Sequence, residues 1–108
     1  MEVKSFQAEG VLVFQVTGEI NLSTSPALKK QFEQQPSKKI VVNLEKVHYV
    51  DSSGLAALVE ILKKTKSQGG SLALTGLSDK VRSLFEITKL DKLFSVFADQ
   101  TEAVSRIK

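Results

Sequence analysis

The chain of 108 residues has no cysteine, no tryptophan, one histidine and two prolines. Without thiols there is neither a disulfide framework nor thiolate chemistry, and a single imidazole cannot build a histidine metal cluster. Thiol enzymes and zinc enzymes are therefore excluded, and no cofactor is expected. Nowhere do about 18 apolar residues run together, and the opening MEVKSFQAEG has neither a basic start followed by an apolar stretch nor a small-residue cleavage site. These absences predict a soluble, cytoplasmic protein with no membrane insertion. P-loop and G-x-G-x-x-G signatures are missing as well. Charge of one sign is also scarce in excess: 15 Lys+Arg stand against 12 Asp+Glu, a net +3. The lysines come in twos (Lys29-Lys30, Lys38-Lys39, Lys63-Lys64) without interleaved aromatics. That pattern predicts solvated faces and no direct nucleic-acid binding, while leaving attraction to an acidic partner protein open.

What is present fits one domain spanning 1–108, since 42% hydrophobic and 25% charged residues allow a core large enough to be stable alone. Val3–Ala8 and Val11–Thr17, separated by Glu9-Gly10, read as a hairpin, and Gly18 is expected to end the second strand. The run Asn21 to Pro26 offers N-cap candidates and a first-turn proline for a helix reaching about Gln35, with Ala27, Leu28 and Phe32 inward. Lys39–Leu44 reads as a short buried strand. Leu55, Leu58, Val59 and Leu62 recur at the spacing of one helical face. Gly69-Gly70 closes that helix, Ser71–Thr75 forms another strand, and strand-helix-strand implies a parallel crossover. Ser78-Asp79 caps a third helix carrying Val81, Leu84 and Phe85 inward. Leu93–Phe97 reads as an edge strand, and Asp99 opens a last helix that docks through Ala103, Val104 and Ile107. The predicted fold class is α/β: a mixed sheet of about five strands opened by a hairpin, with about four helices.

The most informative stretch is HYVDSSGLAALVEIL, His48 to Leu62, which puts Asp51-Ser52-Ser53-Gly54 at the mouth of a helix. Free N–H groups and the positive end of the helix dipole meet there, so an anion on Ser52 is tolerable locally. Asp51, Ser52 and Ser53 also suit plain helix caps. An enzyme reading would make Ser52 or Ser53 a nucleophile with His48 and Asp51. Residues so close in sequence do not supply opposing walls of a pocket, and the G-x-S-x-G elbow is absent. A receiver-like domain using Asp51 as a phosphoaspartate is a weaker alternative, because the early strand ends supply only Glu9 and Glu19, set far apart.

Four features in one order carry a family resemblance: GEINLSTSPAL after the second strand, IVVNLEKVHYVDSSGLAAL in the middle, GGSLALTGLSDKVRSLFEITKLDKLF, and a short closing helix. Together they resemble the STAS domain of bacterial anti-sigma factor antagonists. The resemblance implies partner switching: an anti-sigma factor with serine kinase activity phosphorylates Ser52, a metal-dependent serine phosphatase reverses this, and only the unphosphorylated form binds the anti-sigma factor. It places Asp51, Ser52, Ser53 and Gly54 at the partner-binding turn. Similar proteins often have GELD where this chain has GEIN, so Asn21 stands in for a carboxylate. Asn21, Ser23 and Thr24 join the expected binding face if their loop lies at the same sheet end, where recognition sites of α/β folds gather. The same family includes cytosolic subunits of lipid-transport or other membrane assemblies, a second reading of this sequence.

Overall fold

The computed structural model describes residues 1–108. Strand β1 (Glu2–Ala8) turns back on β2 (Val11–Ile20) through Glu9 and Gly10, whose φ angles of 53° and 81° give the left-handed turn that matches hairpin twist. Next come α1 (Ser25–Gln34), β3 (Lys39–Val50), α2 (Ser52–Ser67), β4 (Ser71–Thr75), α3 (Asp79–Ile87), a 3₁₀ turn (Leu90–Lys92), β5 (Ser95–Phe97) and α4 (Gln100–Ile107). The sheet order is β1-β2-β3-β4-β5, with β1 antiparallel to β2 and every other pair parallel. This is the α/β class and the hairpin-opened mixed sheet expected from the pattern, with four helices.

One sheet face rests on a large core that draws Leu28 and Phe32 from α1, Leu55, Leu58, Ile61 and Leu62 from α2, and Val81 and Phe85 from α3. The other face carries a smaller cluster in which Val11, Val13, Val41 and Ala73 pack under Ala103 and Val104 of α4. Phe14 and Phe32 meet with ring centroids 4.3 Å apart, joining β2 to α1. Such offset aromatic contacts add to the stabilisation from buried area.

The structure differs from the pattern-based reading in four places. β2 does not stop at Gly18: a φ of +107° there accompanies a register shift, and the strand continues to Ile20 beside Val50. Glycine lets the strand bulge and resume. β3 is twice the expected length, because beyond Asn43 it has lost β4 as a neighbour and pairs only with β2. The extension pairs irregularly with β2, across two register shifts, and Glu45, Lys46, His48 and Tyr49 are exposed while Val47 and Val50 stay buried. Ala27 points to solvent, leaving Leu28 and Phe32 as the buried pair of α1. The last strand is only Ser95–Phe97, since the chain before it forms the 3₁₀ turn that buries Phe94 against Phe85.

Candidate functional site

Because β2 and β3 are parallel and Ile20 pairs with Val50, the loops that follow them emerge side by side at one edge of the sheet. The Asn21 to Thr24 loop and the Asp51-Ser52 turn are thereby neighbours, as topology suggested. Asp51 joins them. Its Oδ1 accepts from the Gly54 N–H at 2.8 Å and caps α2, while Oδ2 accepts from the Leu22 N–H at 3.2 Å. Its own N–H donates to the Ile20 carbonyl at 3.1 Å. One carboxylate thus fixes a helix start and a loop from a different strand.

Ser52 follows as the first residue of α2, exposed, and its hydroxyl makes no hydrogen bond within the protein. Ser53 is half-buried and also makes no side-chain hydrogen bond. Gly54 is buried, and a Cβ there would stand 2.3 Å from the Ile20 carbonyl oxygen and 2.9 Å from Val50 Cγ1. Its missing side chain is what lets α2 seat against the ends of β2 and β3, so Gly54 acts as a spacer beneath the surface and presents nothing to it.

Asn21 builds its loop from inside. Its Oδ1 accepts from the Ser23 and Thr24 N–H groups at 2.9 and 3.1 Å, and its Nδ2 donates to Glu19 Oε2 at 3.2 Å. Thr24 Oγ1 accepts from the Asn21 N–H and donates to the Glu19 carbonyl, both at 2.9 Å. Thr24 occupies the N-cap position of α1 without making a side-chain cap bond, because its hydroxyl is engaged in this turn. Asn21 and Thr24 therefore shape the loop, while Ser23 and Leu22 face solvent. Leu22 is 73% exposed, the one apolar side chain in that polar run. The sequence reading passed over Leu22, and the isolated leucine in NLSTS is the signal that could have found it.

His48 Nε2 lies 3.4 Å from Glu19 Oε1 with its side chain 70% exposed. With His48 turned to Glu19 and Asp51 turned to Leu22 and Gly54, no serine-based triad forms. Beyond it Lys80 of α3 sits 5.4 Å over the Tyr49 ring. The receiver-like reading is also overturned: that class orders its sheet 2-1-3-4-5 from parallel strands, whereas here β1 is an antiparallel edge and the order is sequential.

The edge described therefore carries an unengaged hydroxyl, a neighbouring carboxylate and one exposed leucine. Such a surface suits contact with a macromolecule. A family model described as STAS domain matches residues 3–103. The chain is 34% identical over 99 residues to an anti-sigma-B factor antagonist of Listeria monocytogenes, covering 89% of this chain and 86% of that protein. It is 39% identical over 84 residues to an anti-sigma-B factor antagonist of Staphylococcus aureus, covering 75% and 78% respectively. A crystal structure of a candidate anti-sigma factor antagonist from Thermotoga maritima superposes with a TM-score of 0.91 at 27% identity, covering 97% of this chain and 93% of that one.

Proposed function

The chain belongs to the STAS domain family, and from that membership we propose that it is a regulatory anti-sigma factor antagonist working by partner switching. In its unphosphorylated form it binds an anti-sigma factor and so releases a sigma factor. Phosphorylation of Ser52 by the anti-sigma factor's own serine kinase activity abolishes binding, and a metal-dependent serine phosphatase restores it. The setting is the cytoplasm; no helix is long and apolar enough to cross a membrane. The binding face comprises Asp51, Ser52, Ser53, the exposed side of the first turns of α2, and the Leu22-Ser23 tip held beside them by Asn21 and Thr24.

One observation carries this reading: the Ser52 hydroxyl is exposed and has no structural bond to lose. A kinase can reach it without unfolding α2, and a phosphate there changes the surface without removing a support of the fold. The test is titration calorimetry of the parent, Ser52→Ala and Ser52→Asp proteins against a candidate anti-sigma factor. Mass spectrometry after incubation with ATP and that factor maps the modified residue. The expected outcome is parent-like binding by Ser52→Ala without phosphorylation, and binding by Ser52→Asp weakened at least a hundredfold, about 3 kcal/mol. Equal binding by both variants, or phosphate on another residue, refutes the reading.

A further inference from the structure

A second polar site lies on the opposite sheet face, away from Ser52. Lys4, Gln15, Asn43, Thr75 and Phe97 stand in one register row across all five strands. The preceding row on that face, Val13, Val41 and Ala73, is buried under α4. The row of Gln15, Asn43 and Thr75 therefore begins where the apolar floor ends, and the first turn of α4 overhangs it. Gln100 Oε1 accepts from Gln15 Nε2 at 3.1 Å and from Asn43 Nδ2 at 3.0 Å, anchoring the helix to the row. Between them is a cavity of about 240 Å³ lined by Gln15, Asn43, Glu45, Thr75, Asp99 and Gln100, among others.

Thr75 is fully buried, and its Oγ1 is the one buried side-chain polar atom in the protein with no hydrogen-bond partner. A buried hydroxyl left unmatched is costly, which marks this wall of the cavity as a place for a hydrogen-bonding partner. The free hydrogen-bonding groups say what kind. One amide N–H of Gln15 and one of Asn43 are engaged with Gln100. Asp99 Oδ1 accepts from the Glu102 N–H at 2.8 Å as the cap of α4, leaving its other oxygen free. Glu45 Oε1 takes only a long 3.4 Å contact from Asn43. Two carboxylates thus line the cavity, and no lysine or arginine does. Lys4 stands one strand further out.

We propose that this cavity binds a small organic cation rich in N–H donors, of the guanidinium or alkylammonium class, with Thr75 Oγ1 as its innermost contact and Glu45 and Asp99 as its counter-charges. The site is independent of the Ser52 switch.

The test is NMR titration of the ¹⁵N-labelled full chain with agmatine, using acetate and urea as anionic and neutral controls, at up to about 10 mM, tenfold above a Kd of about 1 mM. Agmatine, and neither control, should give saturable shifts at the backbone amides of Gly76, Gln100 and Thr101 and the side-chain amides of Gln15 and Asn43. Glu45→Gln should weaken binding about tenfold, and so should Asp99→Asn, which retains capping ability. Thr75→Val, nearly isosteric, should weaken binding while the melting temperature holds or rises. N-acetyl-arginine amide, run in parallel, separates sources: tighter binding than agmatine assigns the cation to an arginine side chain of a partner, weaker binding to a free metabolite. Absence of saturable shifts, shifts centred on the Ser52 turn, or affinity unchanged in both Glu45→Gln and Thr75→Val overturns the proposal without bearing on Ser52.

Discussion

Replacing Gly54 by alanine tests the account of how the Ser52 turn is built. Inside a helix this substitution ordinarily stabilises by about 1 kcal/mol, because alanine loses less backbone entropy. Here the new methyl would lie 2.3 Å from the Ile20 carbonyl oxygen and 2.9 Å from the Ile20 carbonyl carbon, both backbone atoms. Neither can swing aside as a side chain does, so α2 must move off β2. Overpacking of this kind costs about 1–3 kcal/mol and sometimes more. The shift also stretches the Asp51 N–H bond to Ile20 and the Asp51 cap on Gly54, each worth about 1 kcal/mol. Against the propensity gain the net is a loss of about 2–4 kcal/mol, or about 8–16 °C in melting temperature for a chain of this size. Thermal unfolding followed by circular dichroism measures it directly. A Gly54→Ala protein that melts at or above the parent's temperature refutes the close-approach argument, and with it the claim that Gly54 works beneath the surface.

Asp51→Ala removes both bonds of the carboxylate and should cost about 1–2 kcal/mol in urea unfolding. Asp51→Asn, which keeps an acceptor for the helix cap but none for the Leu22 N–H, should cost less, about 0.5–1 kcal/mol; equal losses would show that charge and not capping matters. Leu22→Ser should leave stability within about 0.5 kcal/mol, since the side chain is 73% exposed, yet reduce anti-sigma binding about tenfold or more as an apolar anchor is lost. Parent-like affinity of that variant removes Leu22 from the binding face.

The hairpin, the crossover over α2 and the caps at Ser78 and Asp99 were legible because each is a local rule: a Gly at positive φ, an apolar repeat, a side-chain oxygen three residues before its donor. Ser78 accepts from Val81 and Asp99 from Glu102, as their types demand. The errors arose where distant partners decide. Nothing local says that β4 ends beside Asn43, which is what lets the second half of β3 carry the exposed Glu45, Lys46, His48 and Tyr49. The second bond of Asp51, to Leu22, spans 29 positions and has no sequence signature. Gln15, Asn43 and Thr75 are separate polar interruptions of apolar strands, and only the register gathers them into one row.

At the start of α2, where an incoming anion would be favoured, the protein's own carboxylate already stands, with Asp51 Oδ1 holding the Gly54 N–H. A phosphate on Ser52 is therefore beside a like charge. Take the separation as about 6 Å and the phosphate charge as about −2: repulsion is then about 1.4 kcal/mol in water but about 5.5 kcal/mol at the effective dielectric of a covered protein surface. The free protein bears the smaller amount, largely screened by salt, so phosphorylation leaves the fold intact. A partner that covers the turn without offering a cation must overcome the difference of about 4 kcal/mol, close to a thousandfold in affinity. Asp51 thus does two things at once: it locks the two loops into a preformed surface when Ser52 is bare, and it magnifies the effect of the phosphate when Ser52 is not. If this is how the switch works, phosphorylation should cost Asp51→Asn protein a smaller factor in anti-sigma affinity than it costs the parent, each compared with its own unphosphorylated form, and an equal factor would place the blockade in steric contact alone.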